Sequence, residues 1–258
     1  MNTIKKILIP IDFSNSANAA INYALGMTQN DRNIEFTLIH VLEGDSNESK
    51  VKVQLDEIEK NTFASENIKC NSIIKEGTLA DVLIKTKDEL DIDLIVMGTA
   101  GSPDIPPASK TISLLKKADC SLLAVPEKNN GFELKNIALA WDKKAIDDTS
   151  NLGVLHDLAR WYNAKVHLLT IDRDEEPHEI TFGENVKTLE YYMESLDYRH
   201  SFPKNTDIEQ GINDYVKEKS IDILAIMPRH HAVNTAPSNG KLTQVLAGHS
   251  DVPLLILD

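Results

Sequence analysis

The chain has 258 residues, 41% of them hydrophobic and 26% charged, and a net charge of −13. These values fit one or two ordinary globular domains and exclude a disordered or low-complexity chain. The acidic balance argues against broad nucleic-acid binding, which needs positive surface to displace counterions, but leaves room for a local anion site built from backbone amides.

The first predicted element is Ile7-Leu8-Ile9-Pro10-Ile11, a continuous apolar run of the kind found in strands covered on both faces. Asp12-Phe13-Ser14 follows, with Ser14 as a helix N-cap, and Ala17, Ala20, Ile21, Ala24 and Leu25 then fall at helical spacing. Phe36–Leu42 predicts the second strand. A charged helix is predicted from about Glu48 to Glu66, with Val51, Leu55, Ile58 and Phe63 on one face. The third strand covers roughly Cys70–Lys75. Gly77-Thr78 then punctuates before a helix over Leu79–Glu89. Asp93–Met97 is the fourth strand. A loop with Gly98, Gly101, Pro103, Pro106 and Pro107 leads to a helix from about Ser109 to Lys117, and Ser121–Val125 is the fifth strand. Strands alternating with helices in this order call for a doubly wound, mainly parallel sheet.

Glu127–Gly131 reads as a linker, after which the pattern restarts. Asn136–Asp142 parallels Lys6–Asp12, and Lys165–Thr170 parallels the second strand. Ile221–Met227 parallels Asp91–Met97, and Asp251–Leu257 parallels Asp119–Val125. Four elements recurring in order predict two tandem α/β domains, 1–128 and 133–258, each a five-stranded parallel sheet flanked by helices.

Cys70 and Cys120 lie far apart with no metal-binding spacing, which fits buried thiols in a reducing compartment. The first apolar run is too short for a signal peptide, and no segment approaches the ~20 apolar residues of a membrane span. A cytoplasmic location is the expectation, with no membrane partner. Adjacent His230 and His231 with a remote His249 make a weak case for a metal, and none is expected. His40 and His167 sit inside apolar strands and read as satisfied structural residues. Gly240-Lys241-Leu242-Thr243 lacks the leading glycine of a phosphate loop, and no nucleophile elbow or paired-carboxylate motif is present, so the chain does not read as an enzyme.

In an open α/β sheet a ligand sits outside the carboxyl ends of the strands where the winding direction reverses. If the fourth strand returns beside the first, Asp12-Phe13-Ser14 faces Gly98-Thr99-Ala100-Gly101 across that crevice. Asp12 reads equally well as a ligand contact or as a strand-end residue that starts a helix. Gly98 and Gly101 serve either a nucleotide or a sharp turn, and Ser109 is either a phosphate contact or a simple N-cap.

Ile9–Ser14, Leu38–Val41, Asp93–Gly101 and Ala118–Val125 resemble the universal stress protein family, and the likeness covers nearly the whole chain, once per repeat. The resemblance implies an adenine nucleotide α-hydrolase-like fold in each domain. It also implies pairing of Ser121–Val125 with Leu254–Leu257 as an intramolecular pseudo-dimer, with a further homodimer left open. ATP-binding members carry a Gly-x2-Gly-x9-Gly-Ser/Thr loop. Carried across, Asp12 and Val41 would contact adenine, Gly98 and Gly101 would approach ribose and phosphate, and Ser109 would bind phosphate. Here the gap after Gly101 is six residues, 102–107, with three prolines and Asp104 inside it. In the second repeat Pro228 and His231 replace the glycines and Gly240-Lys241 replaces the final pair, so that site is degenerate. Two readings stand. One is a stress-associated regulatory protein binding ATP, AMP or another small molecule in the first crevice. The other is a ligand-free scaffold acting through protein contacts.

Overall fold

Strand β1, Lys6–Pro10, holds Ile7, Leu8 and Ile9 with no solvent exposure, the burial expected of a strand covered on both faces. A computed structural model of the chain describes residues 4–27, 33–42, 47–100, 120–129, 131–141, 149–173, 184–227 and 251–257. It divides the chain into two units, Met1–Phe132 and Glu133–Asp258. Among the described residues no helix is long and apolar enough to cross a membrane.

In the first unit β1 is followed by α1 (Asn15–Gly26), β2 (Glu35–Leu42), α2 (Glu48–Ile58), β3 (Cys70–Glu76), α3 (Leu79–Leu90), β4 (Leu94–Thr99) and β5 (Leu122–Pro126). The strand order is β3-β2-β1-β4-β5, and all four pairings are parallel. The winding therefore reverses between β1 and β4. Ser14 caps α1 by accepting the Ala17 N–H at 3.2 Å. The buried residues of α1 include Ala17, Ala20 and Ala24, small side chains that let the helix lie close to the sheet, beside the larger Ile21 and Tyr23.

The helix expected to run unbroken to Glu66 changes its winding at Glu59. A π turn over Glu59–Phe63 and a 3₁₀ turn over Ala64–Glu66 follow, and the segment ends at Asn67 with φ of 56°. The wider turn has a packing reason. It advances the chain through less angle per residue, which keeps Phe63 on the face of Val51 and Leu55, where its ring meets Phe36 at 5.3 Å. At the end of the unit Phe132 sets its ring edge-on to Tyr23 at 5.0 Å and fills the space a β-carbon on Gly26 would need.

The second unit runs β6 (Asn136–Ala140), α4 (Gly153–Tyr162), β7 (Lys165–Leu169), α5 (Glu184–Met193), β8 (Tyr198–Ser201), α6 (Ile208–Glu218), β9 (Ile223–Ile226) and β10 (Leu254–Ile256). Its parallel order is β8-β7-β6-β9-β10, the same as in the first unit. The likeness reaches single hydrogen bonds. The Asp93 carboxylate accepts the backbone N–H groups of Lys5 and Lys6 at 2.8 and 2.9 Å, where β1 begins. Asp222 accepts those of Lys135 and Asn136 at 2.7 and 2.8 Å, where β6 begins.

Candidate functional site

The site of the first unit is built on the carboxyl ends of β1, β2 and β4. Because β1 lies between the other two and all three are parallel, Asp12, Val41 and Gly98 open on one edge of the sheet. Asp12 is exposed. Its Oδ1 accepts the Ser14 N–H at 3.0 Å and the Ser14 hydroxyl at 2.5 Å. Ser14 Oγ lies 2.9 Å from Ser16 Oγ, and since its own proton goes to Asp12 it accepts from Ser16. The second Asp12 oxygen takes no hydrogen bond among the described residues. One oxygen thus fixes the carboxylate in an Asx turn and the other stays available to a donor.

Phe13, between Asp12 and Ser14, has φ of 62°, a left-handed conformation that is unfavourable for a bulky side chain. Its half-exposed ring stacks on His40 at 5.1 Å, with an interplanar angle of 28°. The His40 ring in turn donates from Nδ1 to the Ile11 carbonyl at 2.7 Å; a carbonyl only accepts, so Nδ1 carries the proton. Phe13 and the role of His40 lie outside the set of residues expected from sequence. The available signals were an aromatic residue in the turn directly after β1 and the one imidazole in an otherwise apolar run of β2.

Gly98 belongs to β4, paired with Val125, and the first turn of α1 crosses directly over it. Packing alone therefore requires glycine at this position. Val41 is half-buried near the end of β2. Gly101 and Ser109, the stretch between them, the helix expected from about Ser109 to Lys117, Pro228, the histidines at 230, 231 and 249, and Gly240-Lys241 lie outside the described residues. Among the described residues no three His, Cys, Asp or Glu side chains gather to hold a metal ion.

In the second unit Trp141 follows β6 as Ile11 follows β1, and its carbonyl accepts the Thr170 hydroxyl at 2.8 Å. His167 of β7 is 2% exposed. Tyr215 of α6 donates its proton to Ser201 Oγ at 2.6 Å, so His167 Nδ1 donates to the Tyr215 oxygen at 2.8 Å. The Arg199 guanidinium lies 3.4 Å from the Tyr215 oxygen. Among the described residues His167 Nε2 is buried without a hydrogen-bond partner, so this histidine is only half satisfied there. Burial, and then the charges of Arg199, Lys165 and Lys219, push its pKa down to about 4.

A wound parallel sheet with a carboxylate at its reversal point defines the class of open α/β folds whose ligands, where they have them, sit in that crevice. Residues 3–126 match the model of the Universal stress protein family, so the first unit is a domain of that family. A universal stress protein from Archaeoglobus fulgidus has the same fold, with a TM-score of 0.74 and 14% identity over 98% of both chains. One described as a putative universal stress protein from Pseudomonas aeruginosa does too, with a TM-score of 0.71 and 17% identity over 98% of this chain and 93% of that one. No curated protein matches the chain by sequence.

Proposed function

We propose that the chain is a regulatory binding protein that takes an adenine nucleotide, ATP or AMP, in the crevice of the first unit and acts by binding it rather than by turning it over. The observation that carries this reading is the Asp12 carboxylate at the strand reversal, fixed through Oδ1 and with no hydrogen bond to its second oxygen among the described residues. Such a group accepts from an exocyclic amine or a ribose hydroxyl and repels phosphate, so it belongs at the nucleoside end of a ligand. Family membership of residues 3–126 supports the same site. Cys70 and Cys120 form no disulfide, which suits a cytoplasmic setting.

A ligand-free scaffold is the second reading. Two features favour it: the Ser16 backbone already accounts for Gly98, and the sequence that follows carries Pro103, Pro106 and Pro107, which lack amide donors for phosphate. The test is to denature freshly purified protein and identify released nucleotide by absorbance and mass spectrometry. Stoichiometric ATP or AMP supports the binder. No ligand, together with no thermal shift at millimolar ATP, supports the scaffold. Phosphate release above blank that is lost in Asp12→Ala would make the protein an enzyme.

A further inference from the structure

We infer that His40 is a positioning residue for the first crevice: the hydrogen bond it donates to the Ile11 carbonyl holds the Ile11–Ser14 turn in the conformation that presents Asp12. The effect on ligand affinity rests on the nucleotide reading above; the effect on the turn does not.

The turn is not a shape the chain adopts unaided. Phe13 sits at φ of 62°, and a left-handed aromatic residue persists only where its surroundings over-determine it. The neighbours that do so come from β2. The Ile11 N–H donates to the Ile39 carbonyl at 2.8 Å, and the Ile11 carbonyl receives His40 Nδ1–H at 2.7 Å, so both backbone groups of Ile11 are tied to successive residues of β2. The Phe13 ring then lies on the His40 ring. Asp12 stands between these two anchored residues, and its Oδ1 accepts the Ser14 N–H only while the turn holds.

The second unit supplies an independent observation. Thr170 and Trp141 each stand 130 residues beyond His40 and Ile11, and the Thr170 hydroxyl donates to the Trp141 carbonyl at 2.8 Å. The Trp141 N–H donates to the Leu169 carbonyl at 2.8 Å, as Ile11 does to Ile39. Two chemically different side chains thus make the same bond at the same place. The bond, rather than the imidazole, is what the fold repeats, and only the first unit adds a ring for Phe13 to stack on.

The experiment is amide hydrogen exchange of Ser14, followed by NMR on the full-length wild type and on His40→Ala and His40→Thr. In His40→Ala the Ser14 amide should exchange at least about tenfold faster, while the Asp93-bound amides of Lys5 and Lys6 keep their wild-type rates. His40→Thr, which can donate as Thr170 does, should stay close to wild type. AMP affinity should fall about tenfold in the alanine variant and recover in the threonine variant. Unchanged Ser14 exchange in His40→Ala overturns the assignment, and so does a threonine variant that behaves like alanine. If wild type binds no nucleotide, the nucleotide reading fails, yet the Ser14 rates still decide the role of His40. Should the variants fail to fold, the imidazole nitrogen shifts of wild-type His40 decide: a protonated Nδ1 supports the assignment and an unprotonated one overturns it.

Discussion

A β-carbon on Gly98 would stand 1.9 Å from the carbonyl oxygen of Ser16 and 2.2 Å from its carbon. Both obstructing atoms are backbone of the first turn of α1, so neither can rotate aside. Gly98→Ala must therefore lift α1 from β4 or bend the strand. The expected cost is about 2 kcal/mol or more, typical of overpacking against a rigid neighbour. Urea unfolding followed by circular dichroism measures it, with nucleotide absent. An alanine variant as stable as wild type would mean that glycine is not there for packing.

The carboxylates of Asp93 and Asp222 each hold two backbone amides where the first strand of a unit begins. Asp93→Ala and Asp222→Ala remove equivalent charge-assisted bonds at half-buried positions, and each should cost about 1–2 kcal/mol. Hydrogen exchange locates the damage. Lys5 and Lys6 should lose protection in the first variant, and Lys135 and Asn136 in the second, without crossover between the two pairs.

Acid should weaken the second unit through His167. Its folded pKa, about 4, lies below the ordinary value of 6.5, so the unfolded chain binds the proton more tightly. The contribution is fully present above pH 6.5 and is lost as pH falls toward 4, by about 3 kcal/mol in all. Unfolding free energy measured from pH 7 to pH 4 should show this slope. In His167→Leu the slope should shrink, while Tyr215 keeps its bond to Ser201.

Neither thiol should react readily. Burial, reinforced by the charge of Glu59, pushes the Cys70 pKa up to about 12, which leaves almost no thiolate at neutral pH. Cys120 is buried. A thiol-disulfide reagent at pH 8 should modify both rapidly only after denaturation; fast labelling of Cys70 in the native protein would contradict this.

Most of the architecture is legible as apolar runs because strands covered on both faces need continuous hydrophobic sequence. Ile7–Ile9 and Leu94–Met97 are of this kind, and their recurrence as Ile137–Leu139 and Ile223–Ile226 reveals the repeat. Strand β8 escapes this signal. Tyr198-Arg199-His200-Ser201 pairs with β7 alone among the described residues and carries no apolar run. The π turn is also hidden, since its cause is the long-range contact of Phe63 with Phe36. At the site, Asp12 stands out because a strand followed by Asp-Phe-Ser starts a helix. The left-handed Phe13 and the His40 bond to a backbone carbonyl appear only when β1 and β2 lie side by side. Gly98 is conspicuous in sequence, but its neighbour Ser16 is not, because 82 residues separate them in the chain.

The central claim is that Asp12 reads the nucleoside in the first unit, and isothermal titration of nucleotide-free protein with AMP and ATP tests it most directly. The account predicts one site per chain, lost in Asp12→Ala and retained in Thr170→Ala. Undiminished binding by Asp12→Ala, or no heat from wild type at millimolar ligand, would contradict it.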